Sequence, residues 1–196
     1  MRKLIVQMQM SVDGYVSAAN DELDWQVWNW GEDWTWDDAL KNEFNRIFAS
    51  VDGILLSRPM VQQGYLNHWG RAATRFPTNP NYAFAQRIVD LPKFVVTDKL
   101  DASLWERTTI VRGGMAAAVG ALKQQPGGNL ITFGGKGFVS ALIAAGLVDE
   151  FQFFVNPVAV GSGGVLFHDT RHGTRLRLIR SDSYACGIVV NRYVPA

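Results

Sequence analysis

Leu130-Ile131-Thr132-Phe133-Gly134-Gly135-Lys136-Gly137-Phe138-Val139-Ser140 reads as a buried strand that breaks at paired glycines directly into a helix. Glycines let backbone N–H groups approach an anion closely, and a helix start adds unpaired donors and a partial positive charge that Lys136 reinforces. The stretch therefore has the pattern of a phosphate cradle. Its plainer alternative is a strand-to-helix turn whose glycines serve backbone angles alone. A Walker A loop is excluded because Lys136 is followed by Gly137 rather than Ser or Thr. A dinucleotide fingerprint fits poorly as well. Ser140 stands where a third Gly or Ala is required, and Asp149 and Glu150 arrive before the following strand rather than at its end.

Working outward, the chain alternates strands and helices. Residues 3–10 form an apolar strand that stops at Ser11-Val12-Asp13-Gly14-Tyr15. Leu40, Phe44, Ile47 and Phe48 recur at helical spacing between Trp36 and Ser50, with Asp37 and Asp38 in the first turn. A strand follows at 51–56. Further strands are expected at Lys93–Thr97, Thr108–Arg112, Asn129–Phe133 and Glu150–Val155, and helices at Tyr82–Val89, Met115–Gln124 and Gly137–Ala145. That alternation is the signature of an α/β fold with a mostly parallel sheet. Arg175–Ser181 and Gly187–Val194 alternate across a short turn, so an antiparallel hairpin should close the sheet edge.

Composition narrows the function classes. With 196 residues and 47% hydrophobic content, the expectation is a single domain spanning 1–196 with a sizeable core. A formal net charge of +1, from Lys and Arg scattered along the chain, gives no field for nucleic acid or a membrane surface. Lone Cys186 excludes an intrachain disulfide, and His68, His168 and His172 show no metal-ligand spacing, so no metal is expected. The N-terminal apolar run is too short and too interrupted for a secretory signal, and no stretch has transmembrane length; a cytoplasmic protein is the expectation.

Four segments form an ordered set: Met10-Ser11-Val12-Asp13-Gly14-Tyr15-Val16, Leu55-Leu56-Ser57-Arg58, Gly134-Gly135-Lys136-Gly137-Phe138 and Gly146-Leu147-Val148-Asp149-Glu150-Phe151. Asn156-Pro157-Val158-Ala159-Val160-Gly161-Ser162-Gly163-Gly164-Val165-Leu166-Phe167 continues it. The set resembles the dihydrofolate reductase-like family, in particular the reductase domain of the bifunctional riboflavin-biosynthesis deaminase/reductase, over nearly the whole chain. The resemblance implies a dihydrofolate reductase-like three-layer fold, with NADPH across the carboxyl edge of the sheet and hydride transfer to a small heterocycle. It also suggests a homodimer. By the same resemblance, Gly14 and Val16 belong to the loop beside the nicotinamide, and Ser57 and Arg58 stand where arginine meets cofactor phosphate. Thr97 and Lys99 fall near the adenosine 2′-phosphate, and Gly134, Gly135, Lys136, Gly137 and Phe138 cradle the pyrophosphate.

This chain departs from the family pattern at Ser57, at Met60, which replaces a hydroxyl, and at Leu40 and Lys41, where true dihydrofolate reductases carry a pterin-binding carboxylate. Folate itself is therefore not the expected substrate. The segment from Asp24 to Trp36 holds five of the chain's seven tryptophans. Aromatic faces stack on flat ligands, so Trp25, Trp28, Trp34 and Trp36 are candidate substrate contacts, with a lid or dimer contact as the alternative. Asp13 is the nominated catalytic acid; Asp-Gly is equally an ordinary turn pair, so loop capping stands beside that role. The function read from these features is an NADPH-dependent reductase of a small planar pterin- or pyrimidine-like heterocycle, or of a related conjugated carbonyl or imine. A nucleotide-binding regulatory or structural protein without turnover is the alternative.

Overall fold

The computed structural model describes residues 1–20, 23–26, 35–103, 105–168 and 173–196. Its centre is an eight-stranded sheet built from β1 (Leu4–Ser11), β3 (Val51–Leu56), β4 (Lys93–Val96), β5 (Thr108–Val111), β6 (Asn129–Thr132), β7 (Glu150–Asn156), β9 (Leu176–Ser183) and β10 (Val189–Pro195). The spatial order is β5-β4-β3-β6-β1-β7-β10-β9. The first six strands pair in parallel, while β10 runs antiparallel to both β7 and β9. Two short strands, β2 (Ser17–Ala18) and β8 (Gly163–Gly164), form a separate antiparallel ladder.

Side-chain alternation along the strands sorts residues onto two faces, each covered by helices. In β1, Ile5 packs on one face, while Leu4, Val6 and Met8 pack on the other. The first face is covered by α1 (Asp38–Ala49), α3 (Tyr65–Arg75) and α4 (Ala83–Asp90), with the short α2 (Arg58–Gln62) leading into α3. Beneath the second face lie α5 (Met115–Gln124) and α6 (Lys136–Ala144). Three layers result. Leu40, Phe44, Ile47 and Phe48 are all at most 5% exposed, and each such side chain contributes about 1.5–3 kcal/mol by leaving water. Asp37 caps α1 by accepting the Leu40 N–H at 2.9 Å, and its second oxygen accepts the Cys186 N–H at 3.0 Å. The helix start is thereby tied to the β9–β10 turn.

The terminal hairpin closes the sheet as the alternating pattern implied. From sequence, Phe151–Val155 together with the terminal hairpin offers a sheet edge in need of cover, and it is the hairpin that supplies that edge. Phe151–Val155 itself lies in β7, flanked by β1 and β10, with Phe151, Phe153 and Phe154 at most 6% exposed. The edge strands of the sheet are β5 and β9, and on β9 Leu178 and Ile179 are 51% and 45% exposed. Among the described residues no helix is long and apolar enough to cross a membrane.

Candidate active site

All six parallel strands end at one edge of the sheet, and the candidate residues lie in the loops that leave it, where open α/β sheets bind ligands. From β6 the chain passes through Phe133 and a cis peptide between Gly134 and Gly135 into α6. Gly134 has φ 131°, a conformation side chains disfavour. Gly135 is the N-cap of α6 and supplies no side-chain acceptor, so the first N–H groups of the helix have no side-chain partner there. Gly137, in the first turn, faces open space.

The neighbouring strand-end contributes Ser57, which caps α2 by accepting the Met60 N–H at 3.4 Å and also accepts the Gly135 N–H at 3.4 Å. Ser57 thus joins the β3 and β6 loops. Arg58 opens α2 and donates to Gln62 Oε1 at 2.9 Å. One strand further out, Thr97 Oγ1 accepts the Lys99 N–H at 3.1 Å, and Lys99 is exposed. Strand order places these three loops side by side, in the sequence β6, β3, β4.

Lys136 is directed elsewhere. A Cβ on Gly164 would stand 2.5 Å from Lys136 Nζ and 2.6 Å from Ser17 Oγ, so the lysine lies over the small β2–β8 ladder. That ladder continues a clasp formed by Asp13, which accepts Ser11 Oγ–H at 2.6 Å, the Val160 N–H at 3.1 Å and the Gly161 N–H at 2.7 Å. The Val16 N–H donates to Gly164 O at 2.8 Å, and Gly14 turns the loop at φ 90°. The Ser11 hydroxyl, with Gly161 and Val160, holds the Asp13 carboxyl below its ordinary range against the opposing effect of burial. A carboxylate whose oxygens all accept hydrogen bonds favours its ionised form, the state that suits a loop clasp.

Beside the glycine turn lies a small, mostly apolar cleft. Its floor is Gln7 and Gln9 of β1; its walls are Trp36 and Phe44 at α1, Met60 of α2, Tyr65 and Trp69 of α3, and Phe133. Trp36 is 2% exposed, stacks on Phe154 at 5.5 Å and meets Phe44 edge-on at 5.2 Å, so it is a fixed wall of the core. Burial pushes the Tyr65 phenol far above its ordinary range, against a hydrogen bond with Trp69, so it keeps its proton. Among the described residues no carboxylate lines the cleft. The buried acid of α1, Glu43, pairs with Arg46 and Arg192 instead. Trp25 is buried at 7% exposure but does not line the cleft; Trp28 and Trp34 lie outside the described residues.

Gln7, Gln9, Tyr65, Trp69 and Phe133 were not singled out from sequence. The available signal was a pair of glutamines spaced by two in an otherwise apolar central strand, which puts both amides on one buried face.

The chain belongs to the RibD C-terminal domain family, whose model matches residues 2–190. One relative, the uncharacterized protein YyaP of Bacillus subtilis, is 23% identical over 188 residues, covering 96% of this chain and 92% of that protein. Among solved structures, a provisionally named riboflavin biosynthesis protein from Shewanella sp. PV-4 superposes with a TM-score of 0.69 at 20% identity, over 99% of each chain. The Thermotoga maritima diaminohydroxyphosphoribosylaminopyrimidine deaminase/5-amino-6-(5-phosphoribosylamino)uracil reductase gives 0.66 at 11% identity, over 100% of this chain and 57% of that one. Dihydrofolate reductase from Enterococcus faecalis, complexed with NADP(H), gives 0.57 at 12% identity over 98% of this chain and 96% of that one. The fold is dihydrofolate reductase-like.

Proposed function

We propose that this protein is an NADPH-dependent reductase of a small planar pyrimidine- or pterin-like ring. The observation that carries the reading is the continuity of cleft and glycine turn. Phe133 lines the aromatic cleft, and the next residues form the turn that presents the uncapped start of α6. A ligand with a flat ring joined to a pyrophosphate can occupy both at once, as a nicotinamide dinucleotide requires. The family membership and the reductase neighbours support the same chemistry.

In this reading the first N–H groups of α6 and the backbone of Gly134 to Phe138 hold the pyrophosphate, with the Lys136 side chain turned to the β2–β8 ladder, while Ser57, Arg58, Thr97 and Lys99 line the adjoining edge for the adenosine phosphate. Arg58 and Lys99 favour NADPH over NADH. Gly14 and Val16 belong to the clasped loop, which Asp13 holds in place. The cofactor supplies the hydride; the chain binds, orients and excludes water. Trp36, Phe44, Trp69 and Phe133 wall the ring, and proton delivery is assigned to water, since among the described residues no carboxylic acid lines the cleft. Trp28 and Trp34 remain proposed substrate contacts from the tryptophan-rich segment, whereas Trp25, buried away from the cleft, is not one. The protein is proposed to work in the cytoplasm as a homodimer, with the exposed Leu178 and Ile179 edge as the contact; sedimentation equilibrium showing only monomer at micromolar concentration would contradict the dimer.

A second reading, nucleotide binding without turnover, draws on the Gly135 N–H being already engaged by Ser57. Following NADPH oxidation with a panel of pterins, aminopyrimidinones and quinonoid compounds separates the two. Turnover with any of them supports the reductase, whereas tight NADPH binding with no oxidation supports the alternative.

A further inference from the structure

The floor of the cleft carries more information than its walls. Gln7 and Gln9 sit two residues apart on the same face of β1, and each is held from behind by a side chain of β7. Asn156 is fully buried, and its Nδ2 points at Phe154 O at 3.1 Å, Met10 O at 3.4 Å and Gln9 Oε1 at 2.8 Å. Backbone carbonyls can only accept, so the nitrogen end of Asn156 is fixed as the donor. Gln9 must then offer its oxygen to Asn156, which turns its NH2 group toward the cleft.

The same logic runs with opposite outcome at Gln7. Gln152 Nε2 donates to the Glu150 carboxylate at 2.8 Å, which fixes Gln152 Oε1 as an acceptor. Gln7 Nε2 donates to that oxygen at 3.1 Å, and its own Oε1 is left for the cleft. Gln152 is 2% and Gln7 5% exposed, so neither amide can flip without stranding a buried polar atom, a cost that keeps the polarity set.

We infer that Gln9 Nε2 and Gln7 Oε1 form a fixed donor–acceptor pair that selects the amide edge of a neutral ligand, a carbonyl beside an N–H, and rejects its amino-substituted or cationic counterparts. The inference rests on the proposed function only in taking the cleft as the ligand's seat. Two groups carry such an edge: a lactam in the substrate ring, and the carboxamide of the nicotinamide. A carboxylate in place of Gln9 would select an amidine-like edge instead.

The test is calorimetric titration of the full chain, with and without NADPH, using lumazine, a dioxopteridine, and its diamino counterpart as matched probes. The wild type is expected to bind lumazine about tenfold or more tighter than the diamino ring, the size of effect that one mismatched buried hydrogen bond produces. Gln9→Met should abolish the preference, and Gln9→Glu, nearly isosteric but accepting, should reverse it. Thermal midpoints of both variants establish that they are folded. If Gln9→Met instead weakens NADPH about tenfold and leaves the ring preference intact, the amide being read is the nicotinamide carboxamide, and the pair stands. Lumazine binding with the stated preference but no NADPH binding supports the pair while removing the reductase reading. Equal binding of the two rings, or binding of neither, with NADPH affinity unchanged in Gln9→Met, overturns the inference.

Discussion

Ser57 Oγ accepts the backbone N–H of Gly135 at 3.4 Å, across 78 residues of sequence, while also capping α2. One hydroxyl therefore holds together the two loops that flank the proposed pyrophosphate site. Ser57→Ala is expected to lose the cap, worth about 1 kcal/mol and a fall of roughly 2–4 °C in thermal midpoint for a chain of this size. NADPH affinity should fall about tenfold by calorimetry. A stability loss with unchanged affinity would make Ser57 a structural tie only.

Asp13 is expected to act through the loop it holds. Asp13→Asn removes an acceptor from the clasp on Val160 and Gly161, so the amides of those two residues should exchange faster with deuterium, and KM for NADPH should rise more than kcat falls. The hydrogen bond from Ser11, with those from Gly161 and Val160, depresses the folded pKa, so the sign is that of a stabilised carboxylate. Its contribution is complete above the ordinary value of 3.8 and is lost as pH falls below that value through the folded one. Protection factors at Val160 and Gly161 should be flat from neutrality down to that point; a loss of protection near neutral pH would assign the clasp to another group.

Lys93 gives a second linkage test, independent of the site. It is 3% exposed in β4, its ammonium donates to Val89 O, and burial, helped by Arg107, pushes its pKa from 10.5 down to about 8. Between about 8 and 10.5 the unfolded chain holds a proton that the folded chain has released, so stability rises with pH across that window. Below it the cost of burying the charge is present in full. The difference in denaturant unfolding free energy between wild type and Lys93→Met should therefore shift in favour of the wild type as pH rises through the window. A difference independent of pH would show that the lysine is not desolvated.

The β6–turn–α6 unit was legible because strand, glycine pair and helix are consecutive in sequence, and the expected strand and helix match Asn129–Thr132 and Lys136–Ala144 within a residue. Helices α2 and α3 were not legible. Pro59, Gly64 and Gly70 interrupt the segment and hide the Tyr65, Trp69, Ala73 stripe that buries α3. The floor of the cleft was hidden for a different reason. The orientation of Gln9 is set by Asn156, 147 residues away, and that of Gln7 by Gln152, 145 away, through pairings only the folded sheet creates. Trp36 was read as a candidate substrate contact and does line the cleft; its anchoring against Phe154 of β7 is what no local pattern announces.

The central claim is that the start of α6 binds the cofactor's phosphates, and Gly137→Glu tests it most directly. Gly137 lies in the first turn of α6 with open space where a side chain would go, and replacing glycine there with an acidic residue favours the helix by propensity and by its dipole. Stability should hold or increase while a carboxylate now occupies the anion site. Calorimetric titration is expected to show NADPH affinity reduced at least tenfold, with the thermal midpoint equal to or above that of the wild type. Unchanged NADPH affinity in a folded Gly137→Glu protein would contradict the account.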